Sequence, residues 1–223
     1  MIYCLYLTIP LLETTLTTDP TKITYLGFIE AYDYFNDRLF DNRLPRCLIT
    51  MQRKAGANGY FANKRFGTRD ATEITDEIAL NPAQFKQRDT TQILSTLVHE
   101  MCHLEQYHFG HPSRAGYHNR EWVELMHRVG LIASATGKEG GKQTGQRITH
   151  YIEHGGAFGR ACRELVERGH DIRYVELSDP VVRKKKAETK SKYTCDQCHQ
   201  NAWGKSDLKL RCDQCDVPMR LIC

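Results

Sequence analysis

Asp89-Thr90-Thr91-Gln92-Ile93-Leu94-Ser95-Thr96-Leu97-Val98-His99-Glu100-Met101-Cys102-His103-Leu104-Glu105-Gln106-Tyr107-His108-Phe109-Gly110 is the stretch the rest of the chain serves. Asp89 or Thr90 supplies an N-cap, and Leu94, Leu97, Val98, Met101 and Leu104 recur on one helical face, which predicts a helix with that face buried. His99 and His103 stand four residues apart. On a helix they project about 40° apart and roughly 6 Å along the axis, so both imidazoles reach one ion. Glu100 is too close in sequence to join them comfortably as a third ligand, which leaves it free as a base. The plainer reading is an amphipathic helix with two solvated histidines; against it, the apolar stripe leaves the triplet together on the opposite, cleft-facing side.

A catalytic zinc takes three protein ligands and keeps a fourth position open for water. His108, His111, His118, Glu121 and Glu124 are the candidates for the third. His108 lies near the end of the same helix and His111 follows too soon to return easily. His118, or either glutamate, follows a loop long enough to bring the chain back across the site. The compact HExxHxxGxxH variant is excluded, because Gln106 stands where its glycine belongs. The chemistry expected of such a centre is attack of activated water on a peptide carbonyl, with Glu100 moving the proton and Tyr107, Tyr117 or an arginine beside the developing oxyanion.

Upstream, Asp19-Pro20 reads as N-cap and first helical position, with Ile29, Tyr32, Phe35, Leu39 and Phe40 marking an apolar face. Residues 47–52, 59–66 and 72–80 form short runs separated by Gly56, Asn58 and Gly67, which predicts a small antiparallel sheet. The third run is either an edge strand open to an extended peptide or an internal strand. Downstream, residues 109–116 read as a loop. Trp122, Leu125, Met126 and Val129 mark a helix closed by Gly130, and Phe158, Leu165 and Val166 one ended by Gly169. The glycine-rich stretch 137–145 fails as a phosphate loop: Gln143 follows Gly141-Lys142, position 136 is not glycine, and no strand precedes it. His150, His154 and His170 read as surface residues or neighbours of ligands.

The chain has 223 residues, enough for one ordinary domain and a small appendage. Met1 to Leu12 is apolar but is interrupted by Pro10 and has no basic leader, so a buried strand or turn is expected, in a cytosolic chain with no membrane span. Nine cysteines without a secretion signal point to metal ligands and buried thiols. Cys4, Cys47, Cys102, Cys162 and Cys223 stand singly, and Cys102 is rotated away from both histidines. Cys195-Asp196-Gln197-Cys198 and Cys212-Asp213-Gln214-Cys215 are two knuckles that together close a tetrahedral, structural zinc site. Tyr193, Trp203 and Leu210 are expected to pack that ribbon. The net charge of +4 is uneven: residues 181–223 carry +5 and the rest −1. Arg183-Lys184-Lys185-Lys186, Lys190 and Lys192 read as a solvated basic link with weak attraction for phosphate.

These residues resemble the SprT-like family, which includes the Spartan protease. The likeness rests on Tyr34-Phe35-Asn36, Leu39-Phe40, Leu44-Pro45, Gly59-Tyr60-Phe61, Glu77-Ile78-Ala79-Leu80-Asn81-Pro82, Leu97 to His103, His118-Asn119-Arg120-Glu121-Trp122 and Met126-His127-Arg128. The resemblance implies that His118 is the third ligand, and that the chain is a protease acting on DNA-crosslinked proteins. The family's glycine before that histidine is Tyr117 here, with Gly116 one place earlier.

The expected architecture is α+β: a compact zincin-like metalloprotease domain over residues 1–180, a basic linker over 181–192 and a Cys4 zinc ribbon over 193–223. The expected cofactors are two zinc ions, one catalytic on His99, His103 and His118 and one structural on Cys195, Cys198, Cys212 and Cys215. The expected partners are a protein substrate and, weakly through linker and ribbon, DNA, with a nucleoid association in reach. The rival reading is a nucleic-acid-binding or regulatory protein in which both zinc sites are structural.

Overall fold

In a computed structural model, which describes residues 18–177 and 190–222, helix α1 (Pro20–Phe40) begins as its sequence predicts. The Asp19 carboxylate accepts from the backbone N–H of Thr21 and Lys22, and Pro20 occupies the first turn. Phe28, Ala31, Tyr32, Phe35 and Phe40 are buried, whereas Ile29 lies on the exposed side. Asp41 and Asn42 turn left-handed to end the helix. The buried Asn36 amide then fixes the exit, donating to the Leu44 carbonyl and accepting from the Leu44 N–H, both at 3.1 Å.

The three apolar runs form strands β1 (Leu48–Met51), β2 (Gly59–Gly67) and β3 (Ile74–Leu80). Their order is β1-β3-β2, with β1 parallel to β3 and β2 antiparallel to it. One expectation needs correction here: the sheet is mixed rather than antiparallel; of the two places left open for the third run, β3 takes the internal one. Asp76 to Leu80 are buried one after another, as happens when both faces of a strand are covered. The strand at the sheet's edge near the metal helix is β2, whose pairing with β3 shifts between Ala62 and Phe66.

Helix α2 (Thr90–Phe109) follows a short 3-10 turn over Pro82–Gln87. Asp89 is its cap: it accepts from the Gln92 N–H at 2.7 Å while the Gln92 side chain accepts from the Asp89 N–H at 3.2 Å. The stripe of Leu94, Leu97, Val98, Met101 and Leu104 is fully buried, and so is Cys102. The helix is not two-faced, however. Every residue from Ile93 to Cys102 is buried, because β2 and β3 pack on one side and α1, α3 and α4 on others.

The remaining elements of this unit are β4 (Tyr117–His118), α3 (Arg120–Arg128), β5 (Leu131–Ser134), β6 (Gly145–Gln146), β7 (Thr149–Ile152) and α4 (Ala157–Glu167). Strands β4 and β6 pair antiparallel, as do β5 and β7. Trp122, Met126 and Val129 are buried beneath α3, and Phe158 and Leu165 beneath α4, while Val166 is exposed. Gly130, at φ +82°, carries the chain from α3 into β5 with Ala157 N only 2.6 Å from where a Cβ would stand, so no other residue fits. Among the described residues no helix is long and apolar enough to cross a membrane.

The chain divides into two compact units, Met1–Asp179 and Pro180–Cys223. In the second, β8 (Ser191–Thr194), β9 (Asn201–Gly204) and β12 (Arg220–Ile222) form one antiparallel sheet, and β10 (Arg211–Cys212) pairs with β11 (Val217–Pro218). Tyr193 is buried as expected. Trp203 is not a packing residue, being 62% exposed. The expectations for Met1 to Leu12, Cys4, Cys223 and the linker residues 181–189 fall outside the described residues.

Candidate metal centre

Among the described residues two groups of side chains could each hold a metal ion. They are His99, His103 and His118, and Cys195, Cys198, Cys212 and Cys215. Within each group one ligand atom per residue lies within 4.8 Å of all the others. A tetrahedral zinc with Zn–N of about 2.0–2.1 Å separates its nitrogens by about 3.3 Å, and one with Zn–S of about 2.3 Å separates its sulfurs by about 3.8 Å. His103 Nε2 and His118 Nε2 stand 3.2 Å apart, and Cys198 Sγ and Cys212 Sγ 3.6 Å apart. Both groups therefore fit the same class of ion.

Helix α2 supplies the first two imidazoles, and a brace of side chains supplies the third. Asn119 caps α3 by accepting from the Trp122 N–H at 3.0 Å, and the same oxygen accepts from the Gln106 side chain of α2 at 2.8 Å. That bond ties the start of α3 to the metal helix. His118, one residue before the cap, is held by β4 pairing with β6, and its Nδ1 donates to the Gly145 carbonyl at 3.1 Å. Its Nε2 is thereby turned toward His103. The other candidates are engaged elsewhere: His108 with Asp76 at 2.7 Å, Glu121 with the His111 backbone N–H, and Glu124 with Arg120. His111 is almost fully solvent-exposed.

Trp122 forms the floor. Its indole stacks on His103 with ring centres 4.9 Å apart and meets His99 and His118 edge-on at 4.8 and 4.3 Å. Burial holds the histidines neutral, the form that ligates: His99 is driven well below its ordinary pKa, His103 down to about 3, and His118 is also lowered. Glu100 is buried next to them, and its carboxyl is pushed up to about 8, opposed by Lys54 and by the backbone N–H of Phe61. Gly59 makes this seat possible. A Cβ there would stand 2.8 Å from the Ala79 carbonyl, 2.9 Å from Thr96 and 3.3 Å from Glu100 Oε1.

The triplet lies at the bottom of a cleft of about 890 Å³ walled by β2 on one side and by residues 112–118 and 146–150 on the other. Tyr107, Tyr117, Lys54, Arg114 and Arg147 line it, and Glu100 is the acidic residue among its walls. Spacing alone did not find His150. It lies in β7, 3.0 Å from His99 Nδ1 through its own Nδ1. The available signal was Ser95, one turn before His99 on the same helix face, which His150 also contacts. His154 is exposed and His170 sits apart beside Glu30.

In the ribbon, the Cys195 thiol is drawn down to about 7, chiefly by the backbone N–H of Cys198 and further by that of Gln197. Amides aimed at a sulfur favour the thiolate, the form that binds metal.

A helix bearing HExxH beneath a third imidazole, inside an α+β unit, defines a metallopeptidase-like domain. The SprT-like family model matches residues 28–150, and the chain belongs to that family. A 59-residue stretch is 49% identical to a Salmonella typhimurium protein described as an uncharacterized protein in the mucB 3' region, covering 26% of this chain and 80% of that protein. No solved structure matches.

Proposed function

We propose that the chain is a zinc-dependent metalloendopeptidase acting on DNA-associated or DNA-crosslinked proteins. The observation that carries the reading is the convergence of His99, His103 and His118 with the Glu100 carboxyl beside them at the bottom of an open cleft. Zinc, when bound, supplies a Lewis acid that polarises a peptide carbonyl and acidifies water. Glu100 accepts the proton of the attacking water and returns it to the leaving amine. A dication held by the three histidines would oppose the burial that raises this carboxyl and favour its ionised form. Edge strand β2, with Gly59 and Tyr60 on the cleft wall, offers an open strand edge to an extended substrate.

The second zinc belongs to Cys195, Cys198, Cys212 and Cys215 and is structural. The linker and ribbon, rich in lysine and arginine, bring the enzyme to nucleic acid. The experiment is Glu100→Gln assayed on a DNA-crosslinked protein with and without DNA. The variant retains two zinc equivalents and loses cleavage. Undiminished cleavage removes Glu100 as the base, and absence of cleavage by the parent moves the chain to the class of binding proteins with two structural sites. Removing residues 181–223 weakens DNA binding and flattens its salt dependence; an unchanged slope assigns the ribbon to protein contacts instead.

A further inference from the structure

We propose that His150 is the positioning residue of the metal centre: with Ser95 it forms a two-step hydrogen-bond relay that fixes the His99 tautomer and aims its Nε2 at the ion. The inference rests on the zinc reading of the His99, His103 and His118 group. Its direction can be followed atom by atom. The Gln92 carbonyl can only accept, so the Ser95 hydroxyl, 2.8 Å away, donates its one proton there. Ser95 Oγ then accepts from His150 Nε2–H at 2.9 Å. A neutral imidazole with its proton on Nε2 has a lone pair on Nδ1. That lone pair faces His99 Nδ1 at 3.0 Å and must accept from it. His99 therefore carries its proton on Nδ1, and Nε2 is left unprotonated toward His103 and His118.

The relay is built from fixed parts. Ser95 and His99 lie one turn apart on α2, and His150 lies in β7, where it pairs with Ala133 of β5. The His150 ring centre is 5.1 Å from that of His99, and His150 is not one of the side chains whose ligand atoms converge. Its contact with the ion runs through another residue. His118 has the simpler counterpart, its Nδ1 held by the Gly145 carbonyl, so two of the three ligands are oriented from behind, one by a backbone carbonyl and one by an imidazole.

The test compares His150→Leu, His150→Gln and Ser95→Ala by zinc titration against a competing chelator, with the ribbon zinc as internal reference and a thermal melt as control for folding. Glutamine can accept from His99 through its carbonyl and donate to Ser95 through its amide. The expected result is that His150→Leu weakens the histidine-site zinc by about 10–100-fold, His150→Gln recovers most of that loss, Ser95→Ala loses a smaller factor, and the ribbon zinc is unchanged in all three. The nitrogen-15 spectrum of the parent is expected to show His99 protonated at Nδ1. Equal affinity in His150→Leu and the parent, or a folded His150→Gln as weak as His150→Leu, overturns the relay. Should His150→Leu fail to fold, the Gln and Ser95 variants decide: parent-like affinity in Ser95→Ala together with a tenfold loss in Gln overturns it. A parent that holds only the ribbon zinc overturns the zinc reading itself, a result distinct from all of these.

Discussion

The two groups of metal-binding side chains are opposites in what surrounds them. His99, His103 and His118 are set in a unit whose core runs from Phe28 to Ile172, and each is positioned by caps, a carbonyl or a neighbouring ring. Tyr193, Cys195 and Cys212 are the buried hydrophobic residues of the ribbon, so two of the three are themselves metal-binding cysteines. The first group sits in a unit with a large apolar core of its own. The second supplies much of what its unit buries, and a segment this small has little else to bury. A metal ion in the first would be held by the fold, and in the second would hold the fold together.

Chelation should break the pair apart, and it is the largest effect expected. Structural zinc contributes on the order of 10 kcal/mol to folding of such a segment, so metal removal unfolds residues 190–222 while 18–177 keep their helical circular dichroism. Amide exchange resolved along the chain checks it; equal loss of protection in both units would erase the distinction. His118→Ala sharpens the comparison from the other side. It should cost the histidine site more than the ~100-fold typical of losing an outer hydrogen-bond partner and leave melting of the metal-free protein nearly unchanged, whereas Cys212→Ser should unfold the ribbon.

Gly59→Ala is expected to lose about 1–3 kcal/mol, because the added methyl group meets the Ala79 carbonyl and Thr96 and has no room to relax. Urea unfolding of the variant measures it, and activity should fall further than stability since Glu100 is displaced as well. The smallest effect is acid sensitivity of the metal-free first unit. His99, His103, His118 and His150 have lowered pKa values when folded, His150 down to about 4, so below about 6.5 the unfolded chain takes up protons the folded one refuses and stability falls with pH. Glu100, raised to about 8, works in the opposite sense between its unfolded value and 8. Four imidazoles work against one carboxyl, so the net expectation is a loss of stability as pH falls through about 6.5, visible as a lower Tm. A Tm independent of pH would contradict neutral burial of the ring cluster.

Much of this was legible in the residues themselves. The Asp19-Pro20 cap, the Asp89 cap, HExxH and the paired CxxC knuckles are local patterns whose geometry follows from a few consecutive residues. Spacing left His118 level with Glu121 and Glu124, and family resemblance rather than pattern singled it out. What was not legible is what distant residues do to one another. Residues 48–51 carry no sign of whether they run with or against 74–80, so the parallel pairing was missed and the central place of β3 stayed one of two alternatives. Nothing near position 150 indicates that its ring rests against one from position 99. Trp203 was expected inside the ribbon, but only the strand order reveals that its row shares a face with Lys192.

Of the three imidazoles, two ride on a twenty-residue helix and the third on a strand of two residues, closed by two pairings with β6. Ladders this short open at low free energy while the core around them stays shut. Opening at residues 117–118 and 145–146 would release one arm of the tripod while the two on the helix stay in place, so the third imidazole owes its position to a short pairing between segments distant in the chain and not to the helix that carries the other two.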